Sequence, residues 1–446
     1  MVVHEVLHES DARYEGWRVA SASAVSWFLA SSLIYTFAVF FKPLAAEFSW
    51  SRGVVASAYG LMALTSAISA PLFGFALDRS GVRRVIVPCM AIVGVAFGSL
   101  ALLTARQWQF YATFALLGIV GTGLSPVGYS RAVSTWFDRR RGMALGLVIS
   151  GAAVAGIVQP PAAQGLIDAV GWRTAYVIVG LTLLVIGVPV VSSLIRERPG
   201  DHAQVHARRI GADVAKALRG RTFWTIVVVF FAGSVALNGA IVHLAALLTD
   251  RGVAATSAAL AISTMGAAGF AGRLTTGWFL DRFSGARVSF VLLSIAALGT
   301  YLLASADSFP SGAFAAALIG LGMGGELDVT PYLLSRYYGL RSFSTLYGLA
   351  YGSSSLAGAI GPILLARTFD ATGSYDTLLP KIAVFMFAVA TLMLTLPPYD
   401  LRTGAQSVGP LPEPTTPSVP QEGCSEKMSH HHRVALGRAD TCGAGV

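Results

Sequence analysis

The chain of 446 residues is 54% hydrophobic and only 12% charged, where an ordinary soluble domain carries roughly 25% charged residues, and its mean hydropathy is +0.64. Such a composition excludes a protein whose main solvent is water. The net charge of +9 is dispersed among short connections, which excludes the clustered basic face of a nucleic-acid binder.

A bilayer core of roughly 30 Å is crossed by about 20 apolar residues in a helix. Runs of that kind fall at 19–41, 54–77, 85–104, 108–130, 143–165 and 174–195, and again at 222–248, 256–280, 288–306, 310–333, 345–366 and 378–398. They predict an all-α membrane protein of twelve transmembrane helices in two six-helix halves, 19–195 and 222–398. Residues 1–18 form a short N-terminal segment, and the first run, followed directly by the second, stays in the mature chain and is not a cleaved leader. The longest polar connection, 196–221, is rich in Arg and His and separates the halves. Residues 399–446, with PLPEPTTPSVPQ and the run His430, His431, His432, lack apolar periodicity and predict a disordered tail. Of the 32 Lys and Arg, 20 lie on connections that share a side with the N-terminus and 7 on the opposite ones. The positive-inside rule then predicts a cell-membrane protein with both termini in the cytoplasm.

Cys89, Cys424 and Cys442 have neither metal-ligand spacing nor the pattern of a disulfide framework. No phosphate-cradling loop, metal cluster or nucleophile elbow is present, so the sequence predicts no enzyme, no metal and no cofactor.

Both halves carry one signature after their second run. The first reads GFALDRSGVRR, with Gly74, Asp78, Arg79, Gly81, Arg83 and Arg84; the second reads GWFLDRFSGAR, with Gly277, Asp281, Arg282, Gly285 and Arg287. A glycine near a helix end lets another backbone approach, an aspartate can accept from the open amides of a helix N-terminus, and the next glycine allows a tight turn. One copy would be explained by topology and a turn. Two copies at equivalent places point to a clamp that can be made and broken.

This duplicated pattern closely resembles the loop 2-3 motif of the major facilitator superfamily, whose six-plus-six architecture matches residues 15–398. The resemblance implies that Asp78, Arg79 and Arg83, and in the second copy Asp281 and Arg282, hold the cytoplasmic side shut in one conformation and release it in the other. The halves would rock about a midplane site. Three further stretches resemble the monocarboxylate transporter branch: Glu15, Gly16 and Trp17 before the first run, WFDRRRGMALGLVISG at 136–151, and FAGR at 270–273. The fifth run, GLVISGAAVAGIVQPP, and Leu117 in the fourth depart from the pattern of drug-proton antiporters.

The spans hold three charges away from their ends: Arg273 in the eighth run, Glu326 and Asp328 in the tenth. An unpaired charge at the bilayer centre costs roughly 2.5 to 3.5 kcal/mol, so each needs a partner or a wet cavity. Arg273 and Glu326 lie at similar depth, about 24 Å from the outer ends of their runs, while Asp328 sits about 200° around the helix from Glu326. One reading is a packing ion pair between Arg273 and either carboxylate. The other is that Arg273 grips a substrate carboxylate with its planar fork, as its resemblance to the substrate-binding arginine of monocarboxylate and oxalate-formate carriers implies. The chain departs from those carriers at Gly269, Tyr35 and Ser354, where the matching positions are acidic, Lys and Lys. Glu326, with Asp328, then becomes the candidate proton carrier, since a carboxylate in low dielectric can hold a proton. Among neutral polar groups that suit a cavity wall, Asn238, Tyr35 and Tyr351 stand first, with Ser125, Tyr129, Gln159 and His243 beside them.

The sequence therefore predicts a secondary carrier of a small organic anion, a monocarboxylate before a dicarboxylate because only one membrane cation is present. Its partners would be the lipid bilayer, that anion, and a proton or counter-anion, with no nucleic acid; a monomer meets these requirements. An exporter of drugs, siderophores or metabolites is the alternative, and a non-transporting membrane sensor a third.

Overall fold

The computed structural model describes residues 9, 11, 13–50, 52–198, 213–372 and 374–399. The expected disordered tail beyond residue 399 and most of the central connection, with the expectations placed on them, lie outside the described residues. Each of the twelve apolar runs falls on a helix. In chain order these are α1 (Glu15–Ala30), α2 (Ser32–Tyr35), α3 (Phe37–Phe48), α4 (Arg52–Ser80), α5 (Val82–Ser99), α6 (Gln107–Gly121), α7 (Pro126–Trp136), α8 (Arg141–Thr182) and α9 (Val188–Leu194). After the connection come α10 (Val214–Arg219), α11 (Arg221–Asp250), α12 (Ala255–Leu280), α13 (Gly285–Leu303), α14 (Phe309–Tyr338), α15 (Phe343–Thr372) and α16 (Leu378–Thr391).

The interruptions have local causes. The first run bends twice where hydroxyls turn back onto their own helix, Ser31 Oγ to the Trp27 carbonyl at 2.6 Å and Thr36 Oγ1 to that of Ser32 at 2.7 Å. The fourth run divides into α6 and α7 because Pro126 forces Ser125 into extended backbone, ψ 169°, and then starts a new helix as its first residue. Gly171, at φ 79°, breaks α8 into two crossings. Among the described residues, ten helical stretches are long and apolar enough to cross a membrane. One of them, Arg141–Leu194, has 54 residues, more than twice the about 20 that a bilayer requires, and α12 adds a further helix of 26 residues.

Outward-facing positions carry large apolar side chains such as Ile68, Leu72, Val95, Ile157, Val185 and Val384, each more than 60% exposed. A belt of this kind suits lipid and would be a liability in water. Across the two halves, α4 packs along α15 and α12 along α8. At the face away from the duplicated motif, one arginine in each half caps the C-terminal end of a helix. Arg173 donates to the Ala101 and Leu103 carbonyls at 2.9 and 3.1 Å and pairs with Glu47 at 3.2 Å. Arg251 donates to the carbonyls of Leu303, Ala304 and Ala306 at 2.8, 2.6 and 2.9 Å and pairs with Asp376. Guanidinium at a helix C-terminus is the favourable end of the macrodipole, so each half is riveted within itself.

Candidate functional site

The two copies of the motif are latches, and each reaches into the opposite half. At the end of α4 the Asp78 carboxylate accepts from the backbone amides of Ser344 and Thr345 at 3.0 and 2.7 Å and from the Thr345 hydroxyl at 2.7 Å. These are open donors at the N-terminus of α15. Asp78 also pairs with Arg131 of α7, which in turn pairs with Glu197 at 2.7 Å and donates to the Leu340 carbonyl at 3.2 Å. Gly74, one turn earlier, faces the Ser344 carbonyl so closely that a Cβ would collide with it, and Gly81 turns the chain at φ 83°.

The second latch repeats this geometry with the halves exchanged. Asp281, just past α12, accepts from the amides of Gly142 and Met143 at 2.6 and 3.0 Å at the N-terminus of α8. Gly277 and Gly142 let the two backbones touch, since a Cβ on Gly277 would lie 2.7 Å from the Gly142 carbonyl oxygen. No arginine pairs with this aspartate among the described residues. Burial outweighs its two amide bonds and pushes the Asp281 carboxyl up to about 6. Between the latches Arg336 of α14 holds Asp138 at 2.7 Å, and Arg141 donates to Ser335 Oγ at 3.1 Å. Arg131 and Arg336 each follow a serine, at nearly the offset that separates the two aspartates.

The motif's own arginines are placed differently from the sequence expectation. Arg79 and Arg83 are exposed and have no ion-pair partner among the described residues. Arg282 is exposed too, stacked 3.7 Å from the Trp278 ring centroid. The cation on Asp78 is Arg131, a residue outside the motif. The stretches at 15–17 and 136–151 meet on this same face. The Trp17 and Phe137 ring centroids are 4.7 Å apart, and the Glu9 carboxylate accepts the amides of Asp138, Arg139 and Arg140 at 2.9, 3.0 and 2.9 Å.

Beyond the latches, toward the other face, lies a cavity of about 480 Å³ between the halves. Its wall includes Trp27, Tyr59, Met62, Ser66, Thr122 and Ser125 from one half and Asn238, Tyr351, Ser354, Ser355 and Gly358 from the other, with no charged side chain among the described residues. Of the sequence candidates, Asn238, Tyr351 and Ser125 line it. Tyr35 stands outside it, its ring against Gly156. Tyr129 is fully buried; Gln159 donates to the Phe28 carbonyl at 2.6 Å, and His243 lies between Tyr375 Oη and the Pro362 carbonyl at 2.9 and 3.0 Å. Trp27, Tyr59, Ser66 and Thr122 escaped the sequence reading because neutral groups inside spans look like packing. The clustering of the hydroxyls exists only in the fold: Thr122 Oγ1 donates to Ser66 Oγ at 2.9 Å and accepts from Ser69 Oγ at 3.0 Å.

The three membrane charges sit behind this wall. Arg273 is 7% exposed and donates from Nη1 to the Ile149 carbonyl of the opposite half at 3.3 Å. It acts electrostatically on both carboxylates, yet forms an ion pair with neither. Glu326 accepts from Ser234 Oγ, and Asn238, one turn along α11, donates to the Ser234 carbonyl at 2.8 Å. Glu326 is thus two bonds from the cavity. Asp328 faces away from Ser234 with both carboxylate oxygens buried and without a hydrogen-bond partner among the described residues.

Residues 23–362 match the family model described as Major Facilitator Superfamily. Human monocarboxylate transporter 11 is 27% identical over 377 residues, covering 81% of this chain and 78% of its own. The uncharacterized MFS-type transporter YhjX of Escherichia coli is 26% identical over 347 residues, 75% and 84% of the two chains. Among solved structures, the human organic anion transporter MFSD10 superimposes with a TM-score of 0.68 at 13% identity, covering 85% of this chain and 99% of that one.

Proposed function

Because this chain belongs to the Major Facilitator Superfamily, as a multi-pass membrane transporter, we propose that it carries a small organic anion, a monocarboxylate, by alternating access. The observation that carries this reading is Arg273: a guanidinium buried within a span, touching the opposite half, and neutralised by no carboxylate among the described residues. Such a group favours a planar anion, and the name of the human relative agrees with it. The latched face is the cytoplasmic one on the distribution of Lys and Arg, so this conformation opens outward. Asn238 and Tyr351, on the cavity wall, would orient the rest of the substrate, and coupling to a proton falls to Glu326 or Asp328.

Uptake of labelled lactate, pyruvate, benzoate and octanoate into proteoliposomes tests the assignment. At least one should be transported, with Arg273→Ala lowering its flux by more than tenfold and Arg273→Lys by less. Transport of a carboxylate unaffected by Arg273→Ala would sink it. The uncharged cavity wall favours a second reading, an exporter of neutral or cationic amphipathic compounds. Inhibition of flux by hydrophobic cations and not by carboxylates would select that one.

A further inference from the structure

Asp328 is buried unlike Asp78, Asp281 and Glu326. Those three each accept at least one hydrogen bond, whereas Asp328 is 0% exposed and neither of its oxygens has a donor among the described residues. Helix α14 packs against α12, α13, α11, α15, α8 and α7. The titratable or charged groups that these present to Asp328 are Arg273 on α12 and Tyr347 on α15, with Glu326 two residues away on its own helix. Arg273 is directed elsewhere, toward the Ile149 carbonyl of α8. A bare carboxylate without donor or paired cation is among the costliest groups to bury, and a neutral acid is far cheaper.

Ile149 and Arg273 belong to different halves, and both Asp281 and the Gly142–Gly277 contact hold the same pair of helices together. Opening the latched face separates α8 from α12. We propose that Asp328 holds a proton while the latches are closed and releases it when they open, because opening breaks the Arg273–Ile149 bond and frees the guanidinium to pair with the Asp328 carboxylate. The O–H bond of the acid breaks, the proton passes to water entering from the opened face, and the carboxylate that remains takes Arg273. For the transport cycle this rests on the anion-carrier reading: Asp328 as an acid leaves Arg273 available to the substrate anion, and Asp328 as an anion displaces it. Proton and substrate would leave together, one for one.

Infrared spectroscopy of the purified full chain in lipid vesicles, without any substrate, reads the proton directly as the carbonyl stretch of a carboxylic acid free of hydrogen bonds. The band should be present in the wild type at neutral pH, lost in Asp328→Asn, shifted but kept in Asp328→Glu, and kept in Glu326→Gln. It should weaken in Asp78→Asn, which unlatches the face. A spectrum unchanged by Asp328→Asn, or a band indifferent to Asp78→Asn, overturns the proposal. In proteoliposomes with an acid exterior, Asp328→Asn should abolish accumulation of the carboxylates named above and Asp328→Glu retain it; accumulation at the wild-type level in Asp328→Asn is equally fatal. Should no carboxylate show Arg273-dependent flux, the anion reading fails alone, and the infrared band decides the proton by itself.

Discussion

The two latches share a backbone geometry and differ in charge. Asp78 has a guanidinium partner, itself tied to Glu197, and three hydrogen-bond donors. Asp281 has two amides and a helix terminus. A helix N-terminus offers about half a unit charge in total, which compensates a buried carboxylate less than a salt-bridged arginine does. The first latch is therefore a charge-balanced lock. The second is a lock whose strength depends on proton concentration.

The difference can be measured as the separation of spin labels placed at the exposed positions Arg83 and Arg287, one in each half. Asp78→Asn should have the largest effect, since it takes the charge from a buried pair; at about 3 kcal/mol the closed-to-open ratio falls roughly a hundredfold. No change in the distance distribution would refute the lock. Next comes pH. The Asp281 carboxyl is raised to about 6 in the closed state and returns to the ordinary carboxylate range once opening exposes it to water. The closed state thus binds the proton more tightly, gains stability as pH falls through about 6, and loses that gain as pH rises above it. In an Asp328→Asn background, where the proton assigned to Asp328 no longer contributes, going from pH 7.5 to 5.5 should favour closure about fourfold, and adding Asp281→Asn should remove this dependence while shifting the neutral-pH distribution little. An undiminished pH response in the double variant would place the proton elsewhere. Smallest is Arg79→Gln, expected within about 0.5 kcal/mol of wild type; a large opening there would show that the exposed arginine is a working part after all.

The sequence was most informative where chemistry repeats. Twelve apolar runs and two Asp-bearing motifs were visible because length and repetition survive without knowledge of neighbours. Which cation meets Asp78 was not visible. Arg79 is adjacent in sequence, but the end of α4 turns it to solvent, and Arg131 arrives from α7 through a contact that only the tertiary packing creates. The repeated Ser-Arg at 130–131 and 335–336 was the available signal. The membrane charges teach a related lesson. Equal depth along two helices made an Arg273–Glu326 pair reasonable, but depth does not fix the direction a side chain takes around its helix. Glu326 found Ser234 on one side and Arg273 found Ile149 on another. The cavity wall, built of rings and hydroxyls without charge, gave the sequence nothing to separate from ordinary helix packing.

Each latch is offered by one half and received by the other: α4 grips α15, and α12 grips α8. The partners in both contacts are a side chain and a helix end, and the peptide connection that runs between α9 and α10 contributes to them only through Glu197, near its start, which holds Arg131. Two fragments divided within that connection would still carry complementary surfaces, one with the Asp78 hook and the α8 socket, the other with the Asp281 hook and the α15 socket. Made as separate polypeptides in one membrane, they have what is required to recognise each other and rebuild a working whole.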